Sequence, residues 1–398
     1  MKLSQSAKKA FLIGGLCSVS YLAVYMAKGA LSAVTPQITA EGAFTTAQIG
    51  TLSSIYFTVY AIGQLINGAI GDKIKAKYMI SCGLILSSLG FLLLPQLAGL
   101  PGYAYIAYGA SGFFMAMIYG PMTKVVAENT EPIYSTRCSI GYTMASFLGS
   151  PAAGILAATL AWPWVFRSAG GMLLFMGAST FICFSLMERK GIVKYGQYVA
   201  KKSAGGNIKV LLKRQIVKFT CIAILTGVVR TSVVFWMPTY ISQHLGFAPE
   251  HAALIFTVAS LVFSFSAINA IVIYEWLKRN MDLVILLAFS CSSVLFLVVF
   301  FVQHPYVNVV CLSLAILTCN CASSMLWSRY CPSLRDTGMV STATGFLDAS
   351  SYFAASVSSK LFANAAGTLG WGNLILVWCG LMCCGVAVSL PWHKLKKA

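Results

Sequence analysis

Four charged side chains lie inside long apolar stretches of this sequence: Lys28, Arg230, Asp348 and Lys360. A charge at the centre of a bilayer costs at least about 2.5–3.5 kcal/mol and usually marks a functional pathway. The planar guanidinium of Arg230 matches phosphate or carboxylate oxygens, and Lys28 offers a second cation. We predict that both bind an anion. The alternatives are an ion pair of Arg230 with Asp348, and snorkelling of Lys28 to the outer interface.

Asp348 and Lys360 allow several interpretations each. Lys360 lies nearer the outer end of its stretch, so substrate binding and snorkelling are equally expected. Asp348 is the only acid deep in an apolar stretch. We expect it to pair with a cation, to carry a coupling proton, or to contact a substrate hydroxyl.

Polar side chains at helical spacing accompany the first cation. Tyr21, Tyr25 and Lys28 share one face of a helix, and Tyr60 and Gln64 are four residues apart on the next. Each aromatic alone is typical of helix packing, whereas the two sets together predict the lining of a cavity.

The elements that position these residues are predicted by composition. The 398 residues are 58% hydrophobic and 10% charged, which excludes an ordinary soluble domain and a disordered chain. A membrane helix needs about 20 mostly apolar residues. Twelve stretches qualify, at 9–33, 46–70, 77–97, 102–126, 137–161, 166–188, 216–243, 251–276, 281–302, 306–327, 340–364 and 371–391.

The distribution of Lys and Arg predicts the orientation of these spans. With the N-terminus inside, 24 of the 28 basic residues fall in cytoplasmic segments, and Arg167 alone falls in an outer loop. Both termini are therefore predicted to be cytoplasmic, and the net charge of +18 reflects topology rather than nucleic-acid binding. The first span is expected to remain uncleaved. The thirteen cysteines and four histidines suggest no metal site, and no cofactor is expected.

The chain also repeats internally. Lys28 precedes Pro36 by eight residues, and Arg230 precedes Pro238 by eight, so the two cations are equivalent positions of two halves. Such repeats place a substrate site at the midplane between halves. We predict an all-α membrane protein with two pseudo-symmetric six-helix bundles, 1–188 and 216–398. A basic cytoplasmic linker, 189–215, joins them and is expected to attract anionic lipid.

The loop after the second span, 68–77, reads GAIGDKIKAK and resembles the G-x-x-x-D-[RK]-x-x-x-[RK] loop of the major facilitator superfamily. The resemblance implies that Gly68, Asp72 and Lys73 form a conformational latch between helices, separate from the substrate site.

The resemblance narrows to the organophosphate:phosphate antiporters, the glycerol-3-phosphate and hexose-phosphate transporters. It is carried by Tyr21, Tyr25, Lys28, Pro36, Tyr60, Gln64, the Arg230 region, Gly345, Phe346 and Tyr352. It implies a substrate site that includes Tyr352, and a monomer in the bacterial plasma (inner) membrane. Such a carrier exchanges a phosphorylated metabolite for inorganic phosphate by alternating access. Lys28 stands where this family usually has Arg, and Gln64 where a basic residue is common, so a carboxylate substrate stays open.

Two other functions are compatible with the residues. One is a proton-coupled symporter of a carboxylate or other small polar solute, with Asp348 as the proton site. The other is a transporter-derived membrane sensor. An enzyme is not expected, because no G-x-S-x-G, H-E-x-x-H or G-x-x-x-x-G-K-[ST] motif occurs.

Overall fold

The computed structural model describes residues 4–71, 74–195, 208–334 and 340–390, and every regular element in these ranges is helical. The predicted latch residues Asp72 and Lys73 lie outside the described ranges, as does 196–207 of the predicted linker. Gly68 lies in the last turns of the second helix.

The first half of the chain forms seven helices. They are α1 (Gln5–Ala40), α2 (Thr46–Gly71), α3 (Ala76–Leu93), α4 (Pro101–Met115), α5 (Tyr119–Asn129), α6 (Pro132–Thr159) and α7 (Trp162–Arg189). A short 3-10 turn, Leu94–Leu97, extends α3. Proline occupies the first turn of α4, α6 and α7, where its missing N–H costs no hydrogen bond.

The second half begins with α8 (Ile208–Lys213) and α9 (Ile216–Gly227). A π-helical segment, Val228–Val233, links α9 to α10 (Val234–Gln243). The remaining elements are α11 (Pro249–Ser264), α12 (Ser266–Trp276), α13 (Met281–Phe301), α14 (Pro305–Met325), a π-helical turn (Leu326–Tyr330), α15 (Cys331–Ser333) and α16 (Val340–Ser389). Gly370, with φ of 78°, bends α16.

The helices pack as two units. Unit 1 falls within Met1–Lys201 and includes Pro249–Thr257; in it α1 packs on α6 and α7, α3 packs on α4 and α7, and α2 packs on α4. Unit 2 falls within Lys202–Ala248 and Val258–Ala398; in it α13 packs on α14 and α16, and α9 packs on α16.

Nine helices of the described ranges are long and apolar enough to cross a membrane. Two local features lower the count: residues 116–118 separate α4 from α5, and α16 contains two helical stretches that meet at the bend at Gly370. Twelve spans and cytoplasmic termini therefore stay predictions.

Each unit contains a close helix crossing at a glycine, and these two crossings are equivalent in the repeat. In unit 1, a Cβ added at Gly149 of α6 would lie 2.6 Å from the carbonyl carbon of Tyr25 in α1. In unit 2, a Cβ added at Gly227 of α9 would lie 2.9 Å from Cβ of Ser351 in α16. Tyr25 and Gly227 are 202 positions apart, as are Gly149 and Ser351. The same close crossing therefore occurs twice, with the glycine on opposite partners.

Candidate functional site

Lys28 of unit 1 lies between two tyrosine rings. Its Nζ is 4.1 Å from the ring centroid of Tyr60 in α2 and 5.0 Å from that of Tyr25 in α1. Ring faces carry negative charge, so two of them stabilise an ammonium ion inside an apolar helix bundle. The side chain is half-buried, so its charge is only partly removed from solvent.

Gln64 fixes the orientation of one of these rings. Its Nε2 donates a hydrogen bond of 2.9 Å to the Tyr60 hydroxyl, one helical turn away. Tyr60 is 3% exposed and stacks on Tyr56, with 6.2 Å between ring centroids. The structure thus brings together Tyr25, Lys28, Tyr60 and Gln64, which the sequence placed on two separate helices.

Tyr21 extends this group and joins it to two further tyrosines. Its ring centroid lies 4.9 Å from Tyr25, 5.6 Å from Tyr119 of α5 and 6.1 Å from Tyr142 of α6. We name Tyr21, Tyr25, Lys28, Tyr60 and Gln64 the Lys28 cluster. Tyr119 and Tyr142 border it, but their spacing in the sequence does not select them.

Arg230 of unit 2 lies in the π-helical segment Val228–Val233. Segments of this kind insert one residue into a helix and often occur at functional sites. The Cζ atom of Arg230 is 5.9 Å from the ring centroid of Tyr352 in α16, so this cation also lies beside a tyrosine. The sequence-predicted residues Arg230 and Tyr352 are therefore neighbours.

Hydrogen bonds hold the Arg230 segment against α16. Ser232 Oγ donates to the carbonyl oxygen of Ala355 at 2.7 Å and is 2.7 Å from Ser358 Oγ. Trp236 Nε1 donates to the carbonyl oxygen of Ser359 at 3.1 Å. These bonds set the register of the two helices, which keeps Arg230 beside Tyr352.

Asp348 and Lys360 occupy different environments on α16. Asp348 is half-buried and lies one turn before Tyr352, on the same face. Lys360 is exposed and lies seven residues, or two helical turns, after Phe353. Because Phe353 is 58% exposed, Lys360 lies on a stripe of exposed apolar side chains. The structure places Asp348 near the Arg230 site, and Lys360 on the stripe where snorkelling is expected. Substrate contact by either stays a prediction.

Lys75 and Lys77, beside the predicted latch, both bind Glu188 at the end of α7. The Nζ atoms lie 2.7 Å and 2.6 Å from the two carboxylate oxygens. The hydrogen bond and negative charge of Glu188 raise the pKa of Lys75. Asn129 of α5 also holds Lys194, accepting from its backbone N–H at 2.7 Å and donating to its carbonyl oxygen at 2.9 Å. The start of the basic segment is thereby attached to unit 1.

Within the described ranges, no three His, Cys, Asp or Glu side chains are grouped closely enough to hold a metal ion. The cationic side chains of Lys28 and Arg230, each beside a tyrosine ring, are suited to electrostatic binding of an anion.

Residues 17–359 match the family model described as Major Facilitator Superfamily. The chain is 22% identical over 253 residues to the Membrane sensor protein UhpC of Salmonella typhimurium, a match that covers 57% of this chain and 56% of that protein. The chain thus spans about half the length of this relative.

Two further similarities cover nearly the whole chain. It is 24% identical over 426 residues to the Phosphoglycerate transporter protein of Salmonella typhimurium, covering 94% of this chain and 87% of that protein. The partially occluded inward open structure of the xylose transporter XylE from E. coli superposes with a TM-score of 0.74 at 15% identity. That superposition covers 97% of this chain and 98% of that one, and it shows the fold alone.

Proposed function

The chain belongs to the Major Facilitator Superfamily, and we propose that it exchanges a small phosphorylated metabolite for inorganic phosphate across the membrane. The observation that carries the proposal is the equivalence of Lys28 and Arg230. They lie 202 positions apart in the repeat, one in each unit, and each contacts a tyrosine ring. The similarity to a protein named as a phosphoglycerate transporter supports an organophosphate substrate.

We propose that a single anion binds to both cations during the transport cycle. Two positive groups repel one another strongly where the dielectric constant is low, so closure of an empty carrier is unfavourable. A dianion that touches both cations neutralises them and favours the closed, occluded state. A ligand shifts such an equilibrium only by its differential affinity for the two states, and a bridging anion has that property. Return of the carrier then requires another anion, which makes transport an exchange.

The Lys28 cluster has a defined role in this scheme. Tyr25 and Tyr60 stabilise the ammonium while the site is empty, and Gln64 holds the Tyr60 ring in place. Binding therefore needs little rearrangement of side chains, because the cation is already positioned. Arg230, held by the contacts of its segment with α16, offers a planar pair of donors to two oxygens of the same anion.

A thermal-shift screen of the purified protein tests the binding step. The ligands are phosphate, glycerol 3-phosphate, 3-phosphoglycerate, glucose 6-phosphate and simple carboxylates. At 100 times its Kd a ligand stabilises the native state by about 2.7 kcal/mol, a rise in Tm of about 5–10 °C. We expect this rise for phosphate and phosphate esters.

Variants assign the response to the site. The rise is expected to disappear in Arg230→Gln and in Lys28→Gln, and to persist in Arg167→Gln. Arg167 is a matched control because it is an exposed cation 4.8 Å from the Trp164 ring. Stabilisation by carboxylates alone, or by phosphate in all variants, would refute the proposal.

A second candidate is a membrane sensor that binds a phosphorylated metabolite without carrying it. The similarity to the sensor protein favours it. Proteoliposomes separate the two functions: binding with no phosphate exchange supports the sensor. Net uptake driven by a pH gradient alone, and lost in Asp348→Asn, would instead identify a proton-coupled symporter.

A further inference from the structure

Asn320 of α14 carries a buried hydrogen-bond acceptor with no partner among the described residues. The residue is 9% exposed, and its Oδ1 atom is fully covered and accepts no hydrogen bond. An unmet buried acceptor costs the full desolvation penalty of that group, so most such atoms in native proteins have a partner. A bound ligand that donates a hydrogen bond would supply it.

Two contacts place Asn320 at the depth of Arg230. Near one end, Phe219 of α9 stacks on Tyr330 with 3.5 Å between centroids; near the other, the Tyr240 hydroxyl donates to Asn308 Oδ1 at 2.9 Å. The segment that runs from α9 through α10 is therefore antiparallel to α14 and the π-helical turn after it. Counting from Phe219 to Arg230 and the same number of residues back from Tyr330 reaches position 319. The same count from the Tyr240–Asn308 contact reaches position 318, so Asn320 is one to two residues away, or about 1.5–3 Å along the helix axis.

The surroundings of Asn320 connect it to the Arg230 segment. Helix α14 packs directly on both α9 and Val228–Val233. Ser324 lies one turn along α14 from Asn320, and Trp327 lies a further turn on, in the π-helical turn Leu326–Tyr330. Both are half-buried, so the three side chains form one polar face. This face resembles the Tyr21, Tyr25 and Lys28 face of α1 in spacing.

We propose that Asn320 accepts a hydrogen bond from a carbon-bound hydroxyl of the substrate while Arg230 binds its phosphate. The inference rests on the proposed function and narrows it to hydroxylated phosphate esters, such as polyol, hydroxyacid or sugar phosphates. A fully ionised phosphate ester group has only acceptor oxygens, so the donor must come from the organic part of the substrate. Asn320 is then a specificity residue, distinct from the cations that provide the charge.

The test compares two esters that differ only in hydroxyl groups, glycerol 3-phosphate and n-propyl phosphate. Each competes with labelled phosphate for uptake into phosphate-loaded proteoliposomes. We expect the wild type to bind glycerol 3-phosphate about tenfold more tightly, the size of one hydrogen bond. Asn320→Leu, which keeps the volume and removes the acceptor, is expected to lose this preference while its affinity for n-propyl phosphate stays within about twofold.

A structural role for Asn320 gives different results. It would weaken the binding of both esters together and lower the Tm of the ligand-free variant, whereas removal of an unpartnered acceptor leaves the Tm unchanged or raises it. Thr318→Val is the matched control, because Thr318 lies at the same depth and its hydroxyl bonds its own helix, at 2.9 Å from the Leu314 and Ala315 carbonyl oxygens. It should keep the full preference.

The outcomes separate this inference from the function on which it rests. A wild type that binds both esters equally, or an Asn320→Leu variant that keeps the preference, overturns the role of Asn320 alone. A wild type that binds neither phosphate nor either ester refutes the proposed function, and the inference with it. Each arm uses the full-length protein, and the wild-type comparison needs no variant to fold.

Discussion

The close crossing of α9 and α16 in unit 2 gives a quantitative prediction. In Gly227→Ala, the new Cβ would lie 2.9 Å from Cβ and 3.0 Å from Cα of Ser351. Carbon atoms pack best at about 3.5–4.0 Å, so the helices must separate by about 0.5–1 Å. Overpacking of this kind costs about 1–3 kcal/mol. At about 2–4 °C per kcal/mol, we expect the Tm to fall by about 4–8 °C for a cost of 2 kcal/mol.

The same variant should impair function, because the crossing lies next to the Arg230 site. Gly227 precedes Arg230 by three residues, and Ser351 immediately precedes Tyr352. Separation of the helices moves the Tyr352 ring away from the guanidinium. Thermal unfolding followed by thiol-reactive or tryptophan fluorescence measures the stability, and phosphate exchange in proteoliposomes measures the function.

The swap Gly227→Ala with Ser351→Gly tests the steric cause. The second change removes the side chain that the new methyl group would strike, and we expect it to restore more than half of the lost Tm. Gly15→Ala is the control, because a Cβ there has nothing within 4 Å, and the helix gains up to about 1 kcal/mol in propensity. A stable single variant, or a double variant no better than the single, would refute the reasoning.

Three further perturbations have defined outcomes. Tyr240→Phe leaves Asn308 Oδ1 without the donor now at 2.9 Å and should cost about 1–3 kcal/mol in thermal unfolding; an unchanged Tm would contradict this role. Partial desolvation lowers the pKa of His244, so the unfolded state binds more protons below about pH 6.5. The wild type should therefore lose Tm more steeply than His244→Gln between pH 7 and pH 5, and parallel curves would count against this. Tyr60→Leu should weaken phosphate binding about fivefold in titrations because Lys28 loses a ring face. Tyr60→Phe keeps the ring and loses only the bond from Gln64, so it should weaken binding less; equal effects of both would exclude the ring contact.

The helices of unit 1 show which parts of the fold can be predicted from sequence. Apolar stretches located α1 because twenty or more such residues have no other stable arrangement in lipid. The predicted end at residue 33 was too early, since α1 continues through Pro36 to Ala40. A proline in a membrane helix is tolerated where neighbouring groups satisfy the freed carbonyl groups, and hydropathy does not report that.

The candidate site, like the helices, could be predicted from the sequence only in part. Spacing predicted the shared face of Tyr21, Tyr25 and Lys28, because residues three and four apart always meet on a helix. Residue spacing did not predict the π-helical segment at Arg230. This segment packs against α16 and α14, and such tertiary contacts cannot be read from local helix propensity. Asn320, which lies between two cysteines in an apolar stretch, was not selected from the sequence. Its spacing with Ser324 and Trp327 was the available signal.

Exchange of labelled phosphate in phosphate-loaded proteoliposomes tests the central claim most directly, with the variant that combines Lys28→Gln and Arg230→Gln. If two equivalent cations jointly bind one anion, the wild type and Arg167→Gln exchange phosphate rapidly. The double variant then shows no exchange above that of protein-free vesicles. Full exchange by a folded double variant would contradict the account.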